Sequence, residues 1–390
     1  MGRTLRALLA AALVTVGLVA ATADGAQAGN GYFTKQDLTT AGGEQAGYST
    51  TVPQWYTPWD RVRHIAYVGV GNIAIGSQQS SNSTWSWTTT PEVPYIAWIV
   101  AYAYSWDHSS HIIYSSSDGH LHELWYSEAS PTWHDGDLTA STGAPANLLV
   151  RSGFEQGGQQ HLVASGLMNG HIWEFNFRPG YGWQATDLNT TTGATALGLA
   201  VGAGRGDTYG QTIAYYGSTD HRAHALTWTS SAGWSDVALT APLTASDDLT
   251  IFASPAGDRV TITYHTNVIN VGFADLHMVT WTAATGWTDT DVTAATGAPD
   301  DFNTDGQGVY LQSDGSDRFY QCDVTGQIQE YVHTSDGRWF AWLDAAQGFT
   351  DGSVEPAALA FPADNEGRRW TVSVASIDNN DHVNLLDMTN

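Results

Sequence analysis

His111-Ile112-Ile113-Tyr114-Ser115-Ser116-Ser117-Asp118-Gly119-His120-Leu121-His122-Glu123-Leu124-Trp125 is two strands and the turn between them. His111 to Tyr114 is rich in β-branched residues, Asp118-Gly119 supplies the left-handed backbone of a two-residue hairpin turn, and Leu121 to Tyr126 returns antiparallel. Ahead of the hairpin, Ala97-Trp98-Ile99-Val100-Ala101-Tyr102 is an apolar run of strand length. Behind it, Trp133 to Thr139 is a fourth strand that ends in the turn-rich Ala140-Ser141-Thr142-Gly143-Ala144-Pro145.

This four-strand unit recurs. The turn column reads Gly71, Gly119, Gly170, His221, Ala274, Gly326 and Asp381, at intervals of 48 to 55 residues. The aromatic that opens the fourth strand reads Phe33, Trp85, Trp133, Trp183, Trp234, Trp287 and Trp339 at a similar period. Short strands repeating near every fifty residues, with no sustained helical period, describe an all-β propeller of four-stranded blades. The last unit stops at Asn390 without a fourth strand, whereas Phe33 to Gly42 is a fourth strand with nothing before it. The N-terminal strand is therefore expected to complete the last blade, closing a ring of seven and removing its free edges.

Residues 1–28 stand apart from the repeat. Arg3 and Arg6 precede an apolar run from Ala7 to Ala21 and a small-residue cleavage site at Ala26-Gln27-Ala28, the pattern of a secretory signal. The expectation is an exported protein with one domain over residues 29–390. Taking Arg3, Arg6 and Asp24 from 14 basic and 39 acidic residues leaves 12 against 38, a formal charge of −26. Such a surface repels phosphate backbones and anionic membranes, so neither nucleic acid nor membrane insertion is expected, while a neutral ligand meets no penalty. Cys322 is the only cysteine and sits in an apolar strand, so the core and not a disulfide must hold the domain.

On the His111–Trp125 motif, followed by Trp133-x3-Asp137-Leu138-Thr139-x3-Gly143-Ala144-Pro145, the chain resembles the bacterial PLL-type seven-bladed propeller lectins from Phe33 to Leu386. The resemblance implies a ring that binds fucose-like or other neutral sugars in shallow pockets between blades. Fungal six-bladed fucose lectins are less similar; their sites use an Arg, a Glu and an aromatic residue, and no Arg column repeats here.

Seventeen Trp residues invite a binding reading, but one per blade in the fourth strand is most simply packing between sheets. Trp125, Trp173, Trp228 and Trp281, in or at the end of the third strand, are less regular and are candidates to stack on a sugar ring while offering an N–H to a hydroxyl. A polar column in the same strand, with His122, His224 and His277, alternates with apolar residues; these rings can donate to and accept from hydroxyls, or equally bond between blades. Asp37, Asp137, Asp187 and Asp291 precede turns and are expected to cap them. Asp301, Asn303 and Asp305 match the first half of a calcium loop, but the twelfth position is Gln312 and not a bidentate glutamate. They are a calcium candidate beside the plainer reading of a solvated acidic loop; no other cofactor is indicated.

No H-E-x-x-H, G-x-S-x-G or phosphate-binding glycine loop is present, and no carboxylate pair stands out. A repeated site multiplies binding and does not suit catalysis. The expectation is a secreted, multivalent carbohydrate-binding protein and not an enzyme. The rivals are a propeller scaffold for protein partners, favoured if the third-strand Trp residues are fully buried, and a glycan-degrading enzyme.

Overall fold

The computed structural model describes residues 33–39, 46, 52–69, 71–79, 84–93, 96–204, 210–240, 245–254, 256–266, 275–298, 307–311, 314–322, 328–342, 357–362, 370–377 and 382–389. They form seven antiparallel sheets of four strands each. Blades I to VI run in chain order over residues 54–89, 96–137, 148–187, 196–238, 245–291 and 307–342. Blade VII takes three strands from residues 357–389, and its fourth is Phe33–Asp37. That strand pairs antiparallel with Val383–Thr389, with Gln36 opposite Leu385. The ring closes as the unmatched fourth strand required.

Among the described residues, the second strand of each blade is buried on both faces, because each blade packs on its neighbours. In blade II the first, third and fifth residues of the third strand (Leu121, Glu123, Trp125) face blade III, and the even positions face blade I. Leu121 accordingly joins a core with Leu162, Ala164 and Phe175 of blade III. Leu124 joins one with Ala66, Ile73 and Ile75 of blade I. The same alternation puts Ile172 with Leu226 and Ala223 with Val279 at the next two interfaces. Seven such seams, each of about ten apolar residues or fewer, replace a single central core. Near the axis the first strands converge so closely that a Cβ on Gly308 would lie 1.9 Å from the Phe252 ring. Only glycine fits there.

The fourth strands end earlier than their sequence suggests. In blade II the strand stops at Asp137, and Leu138–Thr142 forms a single helical turn, α1. Leu188–Thr192 (α2) and Val292–Thr296 (α3) repeat it in blades III and V. Each residue of the Asp-Leu-Thr element has a separate task. The aspartate caps: Asp137 accepts from Ala140 N at 2.8 Å, Asp187 from Thr190 N at 3.1 Å and Asp291 from Ala294 N at 2.8 Å. The apolar residue (Leu38, Leu138, Leu188 or Val292) is buried in the seam. The threonine turns back, so that Thr139 Oγ1 accepts from Leu121 N and Thr293 Oγ1 from Leu276 N, both at 2.9 Å. A left-handed glycine (Gly143, Gly193, Gly297) ends each turn.

The Asp118-Gly119 hairpin is also longer than a two-residue turn. Ser116 N bonds His120 O at 2.9 Å and Gly119 N bonds Ser116 O at 3.0 Å, leaving three residues in the loop. Of Asp118 and Gly119, only Gly119 is left-handed, at φ +83°. One positive φ builds a type I turn with a bulge, whereas the two-residue turn read from Asp-Gly needs two. Among the described residues no helix is long and apolar enough to cross a membrane. Residues 1–28 and the calcium candidate Asp301, Asn303 and Asp305 lie outside the described residues.

Candidate functional site

The candidate residues fall into three positions. His122, Trp173, His224 and His277 are each the second residue of a third strand and face the preceding blade. Trp228 and Trp281 are the sixth residues, on the same face but four positions further along, about 13 Å away. Trp125 is a fifth residue, so its side chain faces the following blade. His224 and Trp228, or His277 and Trp281, therefore stand at opposite ends of one strand and do not meet over one sugar ring.

The second-position histidines belong to a repeated constellation. In blade IV, His224 stacks on Tyr215 with ring centres 4.8 Å apart, its Nδ1 lies 3.1 Å from Asp236 Oδ1, and the Tyr215 hydroxyl donates to Asp236 Oδ2 at 2.7 Å. Blade V repeats it with Tyr264, His277 and Asp289, at 5.0 Å for the rings, 3.2 Å for the histidine and 2.9 Å for the hydroxyl. Blade II has a looser copy, Tyr114, His122 and Asp135, in which His122 Nε2 also meets Asp118 at 3.2 Å. Burial disfavours the charged form of His224, but Asp236 and Asp220 together outweigh it and hold its pKa above the ordinary value. The same balance, set by Asp289, Asp291 and Asp275, raises His277. Blade III departs: Trp173 sits between Ala164 and Asp187 in the strand register, packs against the II/III core, and keeps a buried indole N–H without a protein acceptor.

The opposite faces carry a polar wall that reading by residue type overlooked. His111 on the second strand of blade II stacks on Tyr102 of the first strand at 5.3 Å and bonds Glu123 Oε1 through Nδ1 at 2.7 Å. In blade III, His161 stacks on Phe154 at 5.3 Å and bonds Glu174 Oε1 at 2.9 Å. Blade VI places Arg318 in the same register, 2.9 Å from Glu330, whose carboxyl burial pushes up against the pull of Arg318. The usable signal was a second-strand His or Arg followed twelve or thirteen residues later by Glu.

Facing this wall is the fourth-strand aromatic of the next blade, half-buried and backed by a cross-strand partner. Trp183 lies against Phe177 at 5.5 Å and donates its indole N–H to Glu123 Oε2 of blade II at 3.0 Å. Trp234 pairs with Trp228, Trp287 with Trp281, and His333 stacks on Trp339 at 4.4 Å. The II/III seam thus presents an indole, a carboxylate and an imidazole. The III/IV seam presents Trp234 and Trp228 against His161 and Glu174, where Gln211 also donates to Glu174 at 2.7 Å. At the IV/V seam the wall weakens to Thr212 and Ala225. An indole face takes the apolar side of a sugar, and a carboxylate beside imidazole orients hydroxyls. Among the described residues no cluster of three metal-ligating side chains occurs.

Solved structures share this architecture. The chain is similar to the BP39L lectin from Burkholderia pseudomallei, with TM-score 0.65 and 11% identity over 86% of this chain and 95% of that one. It is also similar to AofleA from Arthrobotrys oligospora, with TM-score 0.51 and 13% identity over 79% of this chain and 88% of that one. No family model matches the sequence, and no curated protein does. At these identities the likeness is one of fold.

Proposed function

We propose that this propeller is a secreted, non-catalytic, multivalent carbohydrate-binding protein that holds fucose-like or other neutral sugars at the seams between blades. The observation that carries the reading is the repetition, at the II/III and III/IV seams, of a half-buried Trp facing a His–Glu pair. That is the stacking face and hydroxyl partner that a sugar ring requires. The net charge of −25 and the sequence resemblance point the same way, as does the fold shared with the BP39L lectin. The third-strand Trp residues are half-buried and not fully enclosed, which removes the observation that would have favoured a scaffold for protein partners.

One stacking contact and a few hydrogen bonds give a Kd of about millimolar, and several sites on one ring raise avidity by roughly 10² to 10⁴ on a glycan-coated surface. A glycan array followed by titration calorimetry tests the reading. Binding of a neutral glycan with more than one site per chain supports it; a folded protein that binds none at millimolar concentration ends it.

A further inference from the structure

The turns joining first to second strands of blades I and II share one design. Pro58-Trp59-Asp60-Arg61 and Ser105-Trp106-Asp107-His108 each place Trp second and a left-handed residue last, with φ 62° at Arg61 and 55° at His108. The two indoles nevertheless have different surroundings. His108 of blade II lies flat on Trp59 of blade I, with ring centres 5.0 Å apart and planes within 7°. Blade III shortens the corresponding turn to Gly157-Gly158, both left-handed, so no side chain reaches forward to cover Trp106. Trp106 is 62% exposed.

Its inner side is anchored. Trp106 lies over the buried Tyr104 at 6.3 Å, Tyr104 meets Phe177 edge-on at 6.3 Å, and Phe177 backs Trp183 at the II/III seam. The turn beneath is fixed by Glu155 of blade III, which accepts from Ser105 N and Ser105 Oγ, both at 2.6 Å. A rigid indole with one open face is thus joined by continuous aromatic packing to the Trp183 niche, and at the neighbouring blade that open face is occupied by a flat ring.

We infer that Trp106 is a second stacking subsite of the II/III seam, so that this seam takes an oligosaccharide, with one sugar at Trp183 and a later residue of the same chain on Trp106. This rests on the carbohydrate-binding reading above. A neutral sugar's apolar face is the occupant of choice, since the planar cover seen on Trp59 shows what geometry the site accepts.

The experiment is titration calorimetry of the full chain and of Trp106→Ala with L-fucose, fucosyllactose and lacto-N-fucopentaose. Wild type is expected to bind the longer glycans at one site about five- to tenfold more tightly than fucose, a gain lost in Trp106→Ala while fucose affinity stays unchanged. An unchanged melting temperature shows that the variant is folded, as removal of an exposed side chain should allow. If fucose binds but chain length brings no gain, or if Trp106→Ala weakens all three ligands alike or none, the subsite is refuted. If none of the three binds wild type, the lectin reading falls and the subsite falls with it.

Discussion

The Thr39 hydroxyl accepts a hydrogen bond from the Val383 amide at 2.9 Å, joining residues 344 apart in the chain. It is the ring-closing copy of a bond made within single blades by Thr139 and Leu121, Thr293 and Leu276, and Thr240 and Ala223. In each case the first amide of a third strand, which the fourth strand leaves unpaired, is satisfied by a hydroxyl. Replacing Thr139 by Val keeps the shape and strands the buried Leu121 N–H. The expected loss is about 1–3 kcal/mol by chemical denaturation, with Thr139→Ser close to wild type. Equal stability of the Val and Ser variants would show that the hydroxyl is incidental.

The same geometry bears on closure. Phe33–Asp37 supplies the outer strand of blade VII, His382 Nδ1 meets Asp37 Oδ2 at 3.0 Å, and Leu38 is fully buried against Leu385 and Tyr67. Deleting residues 29–42 should therefore lower the melting temperature sharply, by opening a sheet edge and emptying the Leu38 site. The milder Leu38→Ala should cost about 2–5 kcal/mol. A deletion variant that melts like the full chain would contradict pairing of the termini.

Much of this was legible because repetition averages out local ambiguity. The Trp133, Trp183, Trp234 and Trp287 column and the Asp-Leu-Thr element recur in register, and together they set the blade number and the closing strand. What the sequence hid was face and reach. Trp125 and Trp228 differ by one position in their strands, and a shift of one turns a side chain to the other neighbour. Grouping them by residue type mixed two seams. The Trp183–Glu123 bond joins residues 60 apart on different blades, so only the packing of blade on blade reveals it. The aspartates were readable as caps, yet the short helical turns they cap are too brief to leave a periodic signature.

The Tyr–His–Asp sets make stability depend on pH in a defined direction. His224 and His277 have pKa values held above 6.5, so their contribution is full below that value and fades as pH rises through the raised one. Burial would raise the Asp236 carboxyl, but His224 and Tyr215 overcome it and lower it below 3.8, so its contribution is full above that value and fades in acid. The window where both partners are charged runs from about pH 4 to 6.5. The stability difference between wild type and His224→Gln should peak there and narrow toward about pH 8. A difference that stays flat from about pH 5 to 8 would show that the ring stack, and not the charge, does the holding.

The seams also predict which tryptophans bind. Trp183 and Trp234 face His–Glu walls, whereas at the seam of Trp287 the corresponding blade IV positions are Thr212 and Ala225, although all three Trp residues occupy one column. Trp183→Ala and Trp234→Ala should each remove one sugar site from the calorimetric stoichiometry, leaving the Kd of the remaining site unchanged. Trp287→Ala should cost stability but no site. Trp183→Phe separates the two roles of the indole: it keeps a stacking face while releasing Glu123 from its 3.0 Å bond, so the site should survive with affinity reduced by about three- to tenfold. Equal loss of sites from all three alanine variants would mean that the Trp column alone recognises the ligand and that the His–Glu pairs serve only to join the blades.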